Sequence, residues 1–171
     1  MPTPAPSLPP TPTPVPVPPP DPAPTGFWLD ELPFGHGGNR VPPTGPTVER
    51  RQSDWLWQRS GLRLAGASYD RGITVHAPST VTIDLNRSCS AFDAVAGVDD
   101  LAFSPGAVSF AVTGTDGRPL WHSPALRGAD APVPVHVPLA GVRSIRLVVT
   151  PVDGFRSAGN LADWADARFT C

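Results

Sequence analysis

From Thr80 to Leu85 the side chains alternate without a break. Val81, Ile83 and Leu85 fall on one face, and Thr80, Thr82 and Asp84 on the other. A period of two belongs to a strand with one buried face, because a helix repeats its faces every three to four residues. The pattern recurs along the chain. Phe92, Ala94, Ala96 and Val98 share a face, as do Val108, Phe110 and Val112, then Val133, Val135, Val137 and Leu139, and finally Ile145, Leu147 and Val149. No segment carries sustained helical periodicity, and turn residues punctuate the runs. This combination predicts an all-β fold, an antiparallel β-sandwich of jelly-roll type in which two sheets share one core. Val81, Ile83, Leu85, Phe92, Phe110, Ile145 and Leu147 are its expected core residues.

Turn chemistry refines the reading. Asp116-Gly117 is a tight-turn pair, so Val108–Val112 is expected to return through Leu120-Trp121-His122 as a hairpin. Pro134 and Pro138 lack backbone donors and place Val133–Leu139 at a sheet edge. Leu62–Tyr69 reads as a weak strand with Gly66 inside it, and Phe27–Phe34 as a short edge strand or an ordered turn. Gly35–Thr47, with four glycines and three prolines, reads as loop. Trp55 and Trp57 stand two apart and point the same way from a strand, making either a core wall or an exposed aromatic shelf.

The pattern begins only near residue 27. Met1–Pro24 contains 13 prolines in 24 positions. Missing donors and short side chains leave it little to bury. Residues 1–26 are therefore expected to be a disordered, proline-rich linker of polyproline type, reaching roughly 75 Å at about 3.1 Å per residue. Residues 27–171 are the folded domain, long enough for a sizeable core. Met1 runs straight into prolines with no basic start and no apolar core, so no signal peptide is read there. A spacer with nothing ahead of it is read as the tail of a larger protein, with a short independent gene as the alternative; the domain is expected to be a monomeric module.

Net charge is −2 and every basic residue is arginine, a balance that favours neither nucleic acid nor an anionic membrane. No apolar run reaches the length of a membrane span. Cys89 follows one strand and Cys171 ends the last, so a disulfide between them is expected, and with it an extracellular or cell-surface location.

Enzyme templates find no match: there is no nucleophile elbow, phosphate loop, His-Glu-x-x-His or Cys-x-x-Cys. The sequence is read as having no catalytic residues. A glycosidase-type carboxylate pair could be drawn from Asp99, Asp100, Asp163 and Asp166, but a domain of this size rarely holds a deep cleft. The same carboxylates could bind a structural calcium ion, or instead accept loop amides and pair with Arg71 or Arg168. His76 is either a structural hydrogen-bonding residue or a ligand contact. Trp164 is either core or platform.

Four blocks carry a resemblance. Tyr69–Ser79 (YDRGITVHAPS) resembles the "kGigvHApS" signature of the NPCBM family, carbohydrate-binding module family 51. Phe92–Asp100 is similar to its "F-x-a-x-vGvDD" block, Ala107–Val112 with Asp116-Gly117 to its "gsv-F-x-V…DG" hairpin, and Ala162–Arg168 to its "aDWadar". Trp28–Pro33 resembles its opening "yLsdlpw", so the likeness spans about residues 27–171. It implies a galactose-binding-like sandwich that recognises terminal galactose-type glycans for a parent protein. The ligand-binding residues it implies are His76, Asp99, Asp100, Asp163 and Trp164. Where the family usually reads Asp-His before Ala-Asp-Trp, this chain has Asn160-Leu161, which removes a charge and an imidazole beside the expected site. The alternative is a structural or protein-interaction domain of a bacterial surface or signalling protein that has lost sugar binding. Exposure separates the two: open tryptophans beside Asp or His, among Trp55, Trp57, Trp121 and Trp164, favour the sugar.

Overall fold

The computed structural model describes residues 1, 23–35, 43–103, 105–154 and 159–171. Their strands are β1 (Gly26–Trp28), β2 (Phe34–Gly35), β3 (Thr47–Glu49), β4 (Leu56–Leu64), β5 (Ala67–His76), β6 (Ser79–Asp84), β7 (Ala91–Val98), β8 (Val108–Gly114), β9 (Pro119–His122), β10 (Val133–Pro138), β11 (Ser144–Pro151) and β12 (Leu161–Thr170). Two 3-10 turns, Leu29–Glu31 and Arg50–Gln52, complete them, with no α-helix among the described residues. The proline-rich segment, apart from its two ends, and residues 36–42 of the expected loop lie outside this set.

The strands form two sheets. The first runs β10-β7-β12-β5-β4, with β1 added along the far end of β12. The second runs β2-β3-β6-β11-β8-β9. All pairs are antiparallel except β2 with β3. Alternation turns one face of each sheet inward, and the two inner faces meet in a single core. All seven expected core residues are buried there, each side chain contributing about 1.5–3 kcal/mol relative to exposure. The β8–β9 hairpin turns through Asp116-Gly117 as expected, Gly117 lying at φ +84°. Strand β10, with its prolines, sits at the edge of its sheet.

One expectation is overturned. Leu62–Tyr69 is not a strand interrupted by glycine but the reversal between β4 and β5, with Ala65 at φ 49° and Gly66 at φ 79° carrying the turn. Both strands are consequently longer than expected, and they bind each other from Leu56↔Val75 to Leu64↔Ala67.

Cys89 and Cys171 are disulfide-bonded, their Cα atoms 3.7 Å apart. Beside them Thr25 and Cys171 exchange backbone hydrogen bonds of 2.8 and 2.9 Å. Strand β12 therefore runs from Leu161 at one end of the sandwich to the disulfide at the other, about 30 Å away at 3.3 Å per residue.

Candidate functional site

The site grows from a defect in the first sheet. β5 follows β12 only from Leu161↔His76 to Ala165↔Gly72. A Cβ on Gly72 would stand 2.3 Å from the Trp164 carbonyl oxygen, and the residue's φ of +154° lies outside the usual range of L side chains. Beyond that glycine the β4–β5 hairpin leaves the sheet and folds back across its outer face. Its tip reaches β7: Leu64 bridges to Asp99, the Arg63 carbonyl accepts the Asp100 N–H at 2.9 Å, and the Asp100 carboxylate accepts the Gly66 N–H at 2.9 Å. Leu62, Leu64 and Ala165 make a second, smaller apolar cluster beneath the tip, flanked by Tyr69 and Val95.

A buried polar group lies under this fold-back. Thr74 is opposite both Trp57 on β4 and Asp163 on β12. Its hydroxyl donates to Asp163 at 2.6 Å. Arg59, only 9% exposed, donates to Asp99 and has a guanidinium nitrogen 3.7 Å from the Asp163 carboxylate. Burial, helped by Asp99 beside it, pushes Asp163 up to about 8, so at neutral pH it holds a proton. The cluster then carries one carboxylate and one guanidinium, which is how charges are tolerated out of water.

Above the cluster stands an aromatic surface. Inward-facing Leu56 leaves its neighbours Trp55 and Trp57 on the outer side, 52% and 47% exposed. The Arg59 guanidinium, its side chain 9% exposed, lies over the Trp57 ring 4.7 Å from its centre. Trp55 packs against His76, ring centres 4.5 Å apart at 33°. Asp54 fixes the approach to Trp55 by a reciprocal pair with Thr80, N–H to carbonyl at 2.8 Å and carboxylate to N–H at 2.7 Å. The His76 ring is exposed, and neither of its nitrogens has a hydrogen-bond partner among the described residues.

Of the expected ligand-binding residues, His76 opens to solvent here. Asp99 and Asp163 lie together, both side chains fully buried against Arg59. Asp100 lies at the hairpin tip with Arg63. Trp164 is a correction: its indole is completely buried between the sheets, edge-on to Phe110 at 5.3 Å and 6.3 Å from Phe92, so it offers no face to a ligand. Asp99 and Asp163, two of the carboxylates read as possible calcium ligands, both face Arg59. A guanidinium already occupies the cationic position, and no group of three acidic, His or Cys residues among the described ones could hold a metal ion. Arg59 is the residue that the sequence reading missed. The signal was its place two residues after Trp57 in the alternation of β4. Asn160 is buried and donates to the Gly106 carbonyl at 2.9 Å, while half-buried Leu161 lies opposite His76.

Two largely antiparallel sheets around one core, with open indoles and an imidazole at one end, define a β-sandwich of the binding-module class. The chain belongs to the NPCBM/NEW2 domain family, whose pattern matches residues 26–170. Over 110 residues, 64% of the chain, it is 37% identical to a Renibacterium salmoninarum protein named "Putative endo-alpha-N-acetylgalactosaminidase", and the match covers 7% of that protein. Among solved structures it is similar to the CBM51 of Clostridium perfringens GH95 in complex with methyl-galactose (TM-score 0.60, 23% identity, 85% of this chain and 99% of that one). It is also similar to the CBM51-2 and INT domains of C. perfringens ZmpB (TM-score 0.64, 23% identity, 85% and 31%). At these identities the likeness is one of fold.

Proposed function

We propose that this chain is a non-catalytic carbohydrate-binding module that recognises terminal galactose-type sugars and tethers a larger, extracellular parent protein to glycans. The observation that carries the reading is the exposed Trp55–His76 pair. An indole offers the flat apolar face on which the C–H side of a pyranose stacks, and an imidazole whose nitrogens have no hydrogen-bond partner among the described residues offers partners to its hydroxyls. Family membership supports it, as do the methyl-galactose bound by the GH95 module and the GlcNAc bound by the ZmpB module. The disulfide supports an oxidising location.

A shallow, wet surface gains little per hydrogen bond, so affinity is expected around 0.1–1 mM, roughly 5 kcal/mol. Calorimetry with methyl-galactoside and N-acetylglucosamine tests the reading. Trp55→Ala and His76→Ala should each weaken binding at least about tenfold with the melting temperature unchanged. Equal binding by both variants would move the site elsewhere. No binding by the folded wild type even at tens of millimolar would leave the interaction-domain alternative.

A further inference from the structure

The reading above uses Trp55 and His76 and leaves Trp57 without a task. An indole that is 47% exposed, with the Arg59 guanidinium over its ring, is an unusual thing for a strand to present to water. Resting on the carbohydrate-binding reading, we propose that the ligand is an oligosaccharide of at least two residues lying along β4, one ring on Trp55 and the next on Trp57, with Arg59 as the positioning residue of the second subsite.

Three observations carry it. The first is order along the chain: Trp55 immediately precedes β4, Trp57 is its second residue, and both indoles are open to solvent, so two ring-sized apolar surfaces succeed one another at the start of β4. One pyranose cannot stack flat on both, whereas two linked pyranoses can. The second is equivalence. Each indole is packed by one side chain of the protein, Trp55 by His76 at 4.5 Å and Trp57 by the Arg59 guanidinium at 4.7 Å, and each remains about half exposed. The third is support. Arg59 is fixed from below by Asp99 and Asp163, which come from two other strands, β12 and the end of β7, and Asp163 is itself held by Thr74. This foundation fixes the rotamer of Trp57 before any ligand arrives, which lowers the ordering cost that weakens shallow sites. Among the described residues β4 is also an edge strand of its sheet.

The test compares ligand lengths on one protein. Methyl-galactoside, lactose and galactose-terminated trisaccharides are titrated by calorimetry and by tryptophan fluorescence against the wild type, Trp57→Ala, Trp57→Phe and Arg59→Lys. The wild type should bind one of the longer ligands about tenfold more tightly than methyl-galactoside, equivalent to 1.4 kcal/mol. Trp57→Ala should bring that ligand down to the affinity of the monosaccharide, and Trp57→Phe should restore part of the difference. Arg59→Lys keeps the charge and loses the planar stack, so it should reduce the preference for length and shift the fluorescence of Trp57 in the free protein. If methyl-galactoside binds the wild type as tightly as every longer ligand, the two-ring inference fails while the binding-module reading stands. If none of the sugars binds, both fail.

Discussion

The Thr74 hydroxyl donates to the Asp163 carboxyl at 2.6 Å across the β5–β12 pair, and both side chains are completely closed to water. A carboxyl so placed is easier to keep neutral than to ionise. Asp163 sits at about 8 in the folded protein against an ordinary 3.8. Between those values the folded state holds a proton that the unfolded chain has released, so the stabilisation is fully present below about pH 4 and is lost as pH rises through about 8. The slope is at most about 1.4 kcal/mol per pH unit for one proton. Asp163→Asn keeps an acceptor for Thr74 and cannot ionise. It should match the wild type near pH 4 and exceed it in urea midpoint increasingly towards pH 8. Parallel pH profiles for the two proteins would remove Asp163 as the titrating group.

Gly72 sets where the hairpin leaves the sheet. Gly72→Ala places a methyl group against the Trp164 carbonyl in a conformation that L residues avoid. It should destabilise by more than the roughly 1 kcal/mol usual for a single substitution. It should also disorder the Arg59–Trp57 stack, seen as a change in tryptophan emission. A variant with wild-type stability and emission would mean that the fold-back tolerates a side chain.

Loss of the disulfide removes a closure between residues 82 apart. In the chain-entropy account this lowers stability by about 4–5 kcal/mol. Cys89→Ser and Cys171→Ser should have equal effects, and reductant should bring the wild type to the same midpoint in denaturant. Unequal variants would point to a packing role for one of the sulfurs.

Removal of Met1–Pro24 keeps Thr25, whose backbone pairs with Cys171. The shortened chain should melt within about two degrees of the full one, as expected for a segment with few side chains able to pack. A larger drop, followed by differential scanning calorimetry, would show that the prolines rest on the sandwich.

The strands were legible because a single buried face imposes its period directly. Val81, Ile83 and Leu85, or Ile145, Leu147 and Val149, have no other arrangement in which all three leave water. The β4–β5 reversal was not legible, because Ala65 is a residue that rarely adopts the positive φ it has here. Trp164 was open between core and platform, and it is core. Of the carboxylates flanking it, Asp163 is buried and pushed towards its neutral form, and Asp166 lies at the irregularity between Ala165 and Arg168, where the β7–β12 register shifts. Arg59 and Asp99 are 40 residues apart, and their contact depends on a fold-back that no local pattern records. The tryptophan pair was visible, and its exposure was left open because alternation gives the shared direction without saying which side is wet.

The pairing of Thr25 with Cys171, at the end of β12 remote from Trp55, has a mechanical consequence. A pull between the proline-rich segment and a ligand held at the aromatic end would run nearly along the strand axes. Load of that kind shears many backbone hydrogen bonds at once instead of unzipping them one by one. The short β1 would carry it first, and β12, locked to the chain at Cys89 beside β7, would share it across the first sheet. Under tension the sandwich would behave as a stiff link, and the weak contact with the ligand would give way before the fold.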